Sequence, residues 1–285
     1  MGAPIMAIVV KYLLMISIMF LMLGVGLRTA FGEVVSVVKQ FRLLLRGVLA
    51  NFLVVPVLFY LALQYLPFRP DVVIGLLIMA AVPVAPMVPP FVEKAKGDVL
   101  YAVGLMTVAA LLCVPLTPAI LLLCLPKSEA GLELSVIAII QTLMTAQLIP
   151  IGFGMAIKHF SRKWTERLLL FVPRIGQVGL LISIIMIIAV QGKLIIDLGV
   201  LPNLAVVLGI IVSLLIGHWM MFGETGQRQR SLAISTAIRN VGLGLLIVNN
   251  NYPGTPAVAV VLVFGILSMV VAPIYGKLMT RGSST

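Results

Sequence analysis

Residues 232–246 read "LAISTAIRNVGLGLL", an apolar run of the kind that fills a membrane span, interrupted near its centre by Arg239. A guanidinium keeps its proton in proteins. An arginine at mid-bilayer costs at least ~2.5 kcal/mol on insertion scales, so it faces protein or a wet cavity and not lipid. The stretch also carries Ser235, Thr236, Asn240, Gly242 and Gly244. A helix is expected to break here, within a span predicted over residues 229–249.

The rest of the chain gives that break a membrane setting. Of 285 residues, 61% are hydrophobic and only 10% charged, with a mean hydropathy of +1.20, far from the averages of soluble domains. Apolar stretches of about 20 residues recur, the length a helix needs to cross ~30 Å of hydrocarbon. The ~10-residue alternating segments of a transmembrane barrel are absent. The expected fold is an all-α integral membrane protein with spans at about 6–27, 42–66, 72–95, 98–125, 132–157, 166–190, 200–222, 229–249 and 255–278. The N-terminal run has no basic region before it and no clear cleavage site, so it reads as a first span and not a removed signal.

The basic residues test that count. Arg28, Lys39, Arg42 and Arg46 fall in the first connection, Lys94 and Lys96 in the third, and Lys158, Arg162, Lys163 and Arg167 in the fifth. Arg228 and Arg230 fall in the seventh, and Lys277 and Arg281 in the tail. The other side holds Lys11, Arg69, Lys127 and Lys193, leaving Arg174 and Arg239 inside spans. Basic residues mark cytoplasmic loops. The expected topology in the inner (plasma) membrane therefore has the N-terminus outside and the C-terminus in the cytoplasm. The net charge of +11 is then topological, and no nucleic-acid partner is expected. Cys113 and Cys124 lie in one span without further ligands and read as core fillers, so neither a disulfide framework nor a metal site is expected.

A second break is written into "AAVPVAPMVPPFVEKAKGD", residues 80–98, where Pro83, Pro86, Pro89 and Pro90 crowd the predicted span 72–95. The two broken spans, third and eighth in order, are five positions apart, an odd number, and so run in opposite directions, as in an inverted-topology repeat. The first repeat would cover residues 1–125, and residues 126–285 would hold span five and the second repeat. Non-helical backbone at membrane depth is buried in protein or lines a cavity. Paired broken helices in corresponding halves point to a transporter's central site.

At these residues the sequence resembles the bile acid:sodium symporter family and its bacterial members. The resemblance is carried by "GVGLRTAFGEVVSVVKQFRLLLRGVLANFLVVPVL" (24–58), "PVAPMVPPFVEKAKGDVLYAVGLMTVAALLCVPLTP" (83–118) and "LAISTAIRNVGLGLL". It implies inverted five-helix repeats arranged as a panel and a core domain, with two broken helices crossing in the core. Members that lack the first helix have nine spans. At the positions where the family pattern places sodium ligands, this chain has Ser235 for a glutamate, Arg239 for a glutamine, Val88 and Pro89 for a Ser-Asn pair, and Asn51 for a glutamine. Asn240 and Thr107 keep polar positions. A sodium ion needs several hard oxygen ligands, so the sodium sites are read as lost or greatly altered.

Three roles are open to Arg239: a fixed charge in place of sodium that donates to freed carbonyls at the crossing, a ligand for a substrate carboxylate, or a folding partner of a buried acid. The nine acidic residues map near span ends or, for Glu33, in the first connection. Candidate substrate-binding residues are Arg239, Asn240, Ser235, Thr236 and Thr107; candidate helix breakers are Pro83, Pro86, Pro89, Pro90, Gly242 and Gly244. Gln141, Thr142, Thr145 and Gln147 make span five polar, facing a cavity or holding helices together. Arg174 is expected to reach the surface, and His218 to anchor an interface. The chain is expected to be a secondary transporter of a small or amphipathic organic anion, sodium-independent, working by alternating access and needing no cofactor. Alternatives are a sodium-coupled bile acid or organic anion symporter, a passive facilitator, and a non-transporting membrane sensor. An enzyme is disfavoured because no nucleophile with a base lies at membrane depth.

Overall fold

Each predicted apolar stretch forms a helix or an interrupted pair of helices, because a backbone in hydrocarbon must satisfy its own hydrogen bonds. A computed structural model of the chain describes residues 2–29, 32, 40–125 and 135–281. Glu33, Lys39, Lys127, Glu129 and Glu133, as well as the 125/126 boundary between the predicted repeats, fall at or outside the limits of the described residues.

Helix α1 covers Gly2–Arg28; α2 (Phe41–Leu49) continues through a π-helical turn, Ala50–Val54, into α3 (Val55–Gln64). The interrupted pair α4 (Pro70–Ala81) and α5 (Val88–Lys94) follows, then α6 (Val99–Cys124). Helix α7 (Val136–Leu143) passes through a second π-helical turn, Met144–Leu148, into α8 (Ile149–Phe160). Helices α9 (Arg162–Ile196) and α10 (Val200–Met220) precede the second interrupted pair, α11 (Gly226–Ala237) and α12 (Val241–Asn251), and α13 (Pro256–Arg281) closes the described chain. Among the described residues, 7 helices are long and apolar enough to cross a membrane. The two interrupted pairs occupy the remaining predicted spans. Leu170, Phe171, Ile175, Val178, Ile182 and Ile185 of α9 are exposed, an apolar face suited to lipid. The chain is a multi-pass membrane protein.

The helices pack as two groups. In one, α1 lies along α9 and α8. At Gly26 a Cβ would run into the carbonyl of Ile151, and at Gly154 into that of Leu23, so the absence of side chains sets the α1–α8 separation. In the other, α10 packs on α11 and α13, α13 on α4 and α12, and α6 on α2, α5 and α11. The groups meet where α1 touches α12, α9 touches α13 and α7 touches α6.

The Lys96-Gly97-Asp98 turn fastens the core at its basic end. Lys96 takes a positive φ of 51° that ends α5, and its carbonyl accepts a hydrogen bond from Nη2 of buried Arg230 at 2.9 Å. Asp98 caps α6 by accepting from the Tyr101 amide at 2.9 Å and pairs with Arg228 at 3.6 Å. The Arg228–Asp98 pair ties the start of α11 to that of α6, and Arg228 also bonds Glu224, just before α11, at 2.9 Å.

Candidate functional site

Helix α4 stops because Pro83 has no N–H and holds the residue before it extended; Val82 has ψ 142°. Stopping a helix leaves the carbonyls of its last turn open. Nη1 of Arg239 donates to two of them, Ala80 O and Val82 O, both at 2.8 Å. The hydroxyl of Thr117 donates to Ala81 O at 2.9 Å. The Asn240 amide donates to Pro83 O at 2.9 Å and the Ala85 amide to Ile238 O at 3.1 Å, around an isolated antiparallel bridge between Val84 and Arg239. The two broken spans therefore meet at their breaks. A permanent cation also sits at the C-terminal end of α4, where the helix dipole favours it.

The second break is shorter. Helix α11 ends at Ala237, Ile238 and Arg239 bridge the gap, and Asn240 opens α12 by accepting from the Leu243 amide through Oδ1 at 3.1 Å. Arg239 is 1% exposed. None of the ion pairs among the described residues involves it. Its Nε and Nη2, and Nδ2 of Asn240, are buried without a hydrogen-bond partner.

A cavity of about 430 Å³ opens beside this crossing, between the two helix groups. The breaks supply Ala85, Pro86, Arg239, Asn240 and Gly242; α1 supplies Leu21, Gly24, Val25 and Arg28. Pro173, Gln177, Leu180 and Ile184 of α9, Met106 of α6, and Leu262 and Ile266 of α13 complete most of the wall. The lining is chiefly apolar, and its charged members are Arg28 and Arg239. Gly242 lies where the groups approach each other, since a Cβ there would stand 3.3 Å from Ile18 and 3.4 Å from Leu180. A neighbouring cavity of about 430 Å³ shares Arg28 and Met106 and is lined by Thr29, Pro89 and Thr107.

The crossing and the cavity bring Arg239 and Asn240 together and leave the other candidates apart. Thr107 faces the second cavity, where its hydroxyl lies 3.2 Å from that of Thr29 and donates to Val103 O at 3.0 Å. Ser235 and Thr236 are buried in α11 and do not line the main cavity; Thr236 donates back to Leu232 O at 2.6 Å, and Ser235 Oγ has no partner. Asn51 lies in the first π-helical turn, donating to Gly47 O at 2.9 Å with Oδ1 unpartnered. Val88 is buried at the start of α5.

Four predicted helix breakers are corrected. Gly242 and Gly244 sit inside α12, where their small size admits neighbours: a Cβ on Gly244 would lie 3.0 Å from Met79 Sδ. Pro89 and Pro90 open α5, because the first turn of a helix needs no N–H bonds from them. The break itself is the work of Pro83, with Pro86 in the same gap. Span five does not face the main cavity. Gln147 accepts a hydrogen bond from Cys113 at 2.6 Å, and Thr142 lies 3.5 Å from Asn250 Nδ2. Arg174 is exposed, and His218 bonds the Tyr275 hydroxyl at 2.6 Å.

Arg28, Gln177 and the α9 wall are missing from the sequence-based candidates. No local signal marks them, since they enter the cavity through the packing of α1 on α9. Thr117 lies near the end of the stretch 83–118 that carries the family resemblance, and its bond to Ala81 supplies the physical reason for a hydroxyl there.

Residues 15–198 match the family described as "Sodium Bile acid symporter family". The chain is 22% identical over 244 residues to an uncharacterized sodium-dependent transporter, YocS, of Bacillus subtilis (strain 168), covering 84% of this chain and 74% of that protein. It is 24% identical over 259 residues to a probable chloroplastic sodium/metabolite cotransporter, BASS2, of Oryza sativa subsp. japonica, covering 85% of this chain. That alignment spans 57% of the rice protein.

Proposed function

The chain belongs to the sodium bile acid symporter family, a family of transporters and not enzymes, and from that premise we propose that it carries a small or amphipathic organic anion by alternating access without coupling to sodium. The observation that supports this most is the position of Arg239. Its Nη1 occupies the carbonyls of Ala80 and Val82, hard oxygen atoms of the kind a cation at the break would use. Two unit charges 4 Å apart repel by ~4 kcal/mol at an effective dielectric of 20. At ~1.4 kcal/mol per factor of ten, a sodium ion beside Arg239 would bind roughly a thousandfold more weakly.

The cavity supports the substrate class. Apolar walls accept an amphipathic body, and a lining whose charged residues are both arginines favours an anion. Transport would proceed by the group of α1, α8 and α9 rocking against the core, with the crossing held rigid by its carbonyl bonds. In this reading residues 1–125 hold the first repeat, residues 126–285 hold span five and the second repeat, and the basic end faces the cytoplasm.

The names of both relatives favour a second reading, in which this chain is also sodium-coupled. Uptake of candidate organic anions into proteoliposomes, with and without an inward sodium gradient at fixed ionic strength, separates the two. Saturable uptake that ignores sodium is expected; strong sodium stimulation would refute sodium independence.

A further inference from the structure

From Leu168 to Val190, helix α9 carries no charged residue except Arg174. That run is roughly 34 Å long at 1.5 Å per residue, close to the thickness of a hydrocarbon core, and Arg174 lies roughly 9 Å inside it. Arg167, Phe171, Arg174, Val178, Ile182 and Ile185 recur every three or four residues and so share one face of the helix. The apolar members of that face are exposed, and Arg174 is exposed among them. A guanidinium there needs an acceptor, which hydrocarbon does not offer. Among the described residues, neither Arg167 nor Arg174 has an ion-pair partner, and Glu166, the one acid in α9, is held by Arg162 at 2.9 Å.

Helix geometry says where the acceptor lies. Side chains on a helix lean toward its N-terminus, and the N-terminal end of α9 is the basic one, with Arg162, Lys163 and Arg167. Arg174 therefore reaches back toward Arg167, seven residues or roughly 10 Å away along the axis. Trp164 is exposed, its ring 5.8 Å from the guanidinium carbon of Arg167, and tryptophan marks the headgroup level of a bilayer. The two guanidiniums thus flank one strip of the membrane interface, with Phe171 between them. We propose that this strip binds the headgroup of an anionic phospholipid. The phosphate oxygens accept from the planar forks of Arg167 and Arg174, and the acyl chains lie along Phe171, Val178, Ile182 and Ile185. A net negative headgroup is preferred to a zwitterionic one, because the ammonium of the latter would be held beside two guanidiniums and Lys163. The same helix supplies Pro173, Gln177, Leu180 and Ile184 to the main cavity, so the lipid sits on a wall of the solute pathway without entering it.

The test uses the full chain purified in a mild detergent, read by native mass spectrometry and thermal shift. Dioleoyl phosphatidylglycerol is the probe, dioleoyl phosphatidylcholine the control with the same chains, and glycerol phosphate the control for a free phosphate. Phosphatidylglycerol should be retained roughly tenfold more than phosphatidylcholine, as charge-assisted bonds to a net anion imply, and should raise Tm saturably. Arg167→Gln combined with Arg174→Gln removes both forks from exposed positions and should erase that preference. Arg162→Gln, well round the helix from Arg167, should keep it. Equal retention of the two lipids, a preference unchanged in the double variant, an equal loss in R162Q, or glycerol phosphate matching the lipid's effect on Tm overturns the proposal. If the double variant does not fold, Arg174→Lys decides. It keeps the charge and loses the planar fork, so retention of phosphatidylglycerol should fall several-fold; unaltered retention overturns the proposal.

Discussion

Nη1 of Arg239 lies 2.8 Å from the carbonyl oxygen of Val82, which binds the break in one interrupted span to the break in the other. The same nitrogen reaches Ala80 at 2.8 Å. The charge that makes the sequence anomalous is therefore spent on the backbone groups that the prolines of the first break release.

Arg239→Ala should leave two buried carbonyls open, at about 1–3 kcal/mol each. A fall of several degrees in Tm is expected, together with loss of uptake. Arg239→Lys keeps a cation that can still reach a carbonyl but lacks the planar fork, and should lie between the two in Tm. A Tm for R239A equal to that of the unsubstituted protein would show that these bonds do not hold the crossing.

Thr117 performs the matching task on Ala81 O, from a neighbouring helix. Thr117→Val keeps the shape and deletes the hydroxyl, so it should destabilise by about 1–3 kcal/mol. Thr117→Ser should recover most of that loss in chemical denaturation or thermal unfolding. Indistinguishable Val and Ser variants would remove the hydroxyl from the account.

The spans and both breaks were legible in the sequence because apolar length, charge placement and proline chemistry are local signals. The atomic boundaries were not. Gly242 and Gly244 look like breakers in isolation, yet they serve as close-packing positions in a helix that Asn240 starts. Pro89 and Pro90 look equally disruptive and instead occupy a helix's first turn, where proline has no hydrogen bond to lose. The cavity wall was less legible still. Arg28 reads as one loop charge among several, and Gln177 as an incidental polar residue, until the packing of α1 on α9 places both in the cavity wall. Ser235 and Thr236 fail as cavity residues for the opposite reason: they belong to the break's helix but face the packed interior.

The α1–α8 contact is set by backbone approaching backbone at Gly26 and Gly154. Gly154→Ala has no flexible side chain to displace and must push the helices apart, so it should cost about 1–3 kcal/mol. Gly152→Ala, on the same helix with open space around its Cβ position, should be nearly neutral. Equal Tm values for the two variants would contradict the assigned contact.

The residues that the family pattern places at the sodium sites give a gain-of-function test. Ser235→Glu combined with Arg239→Gln removes the fixed charge and supplies the oxygen ligands the resemblance implies. The double variant should gain sodium-dependent stabilisation, or sodium-stimulated uptake, that the parent lacks. Since Val88 and Pro89 remain altered, its apparent sodium affinity should be weak. A double variant that folds and stays indifferent to sodium would place the loss of coupling elsewhere.

The most direct measurement is the Tm of the purified, unsubstituted protein as sodium chloride replaces choline chloride at constant ionic strength. With a guanidinium holding the carbonyls of Ala80 and Val82, the two salts should give the same Tm throughout the titration. A saturable, sodium-specific rise would mean that an alkali cation binds the folded chain despite Arg239, and would contradict the central claim.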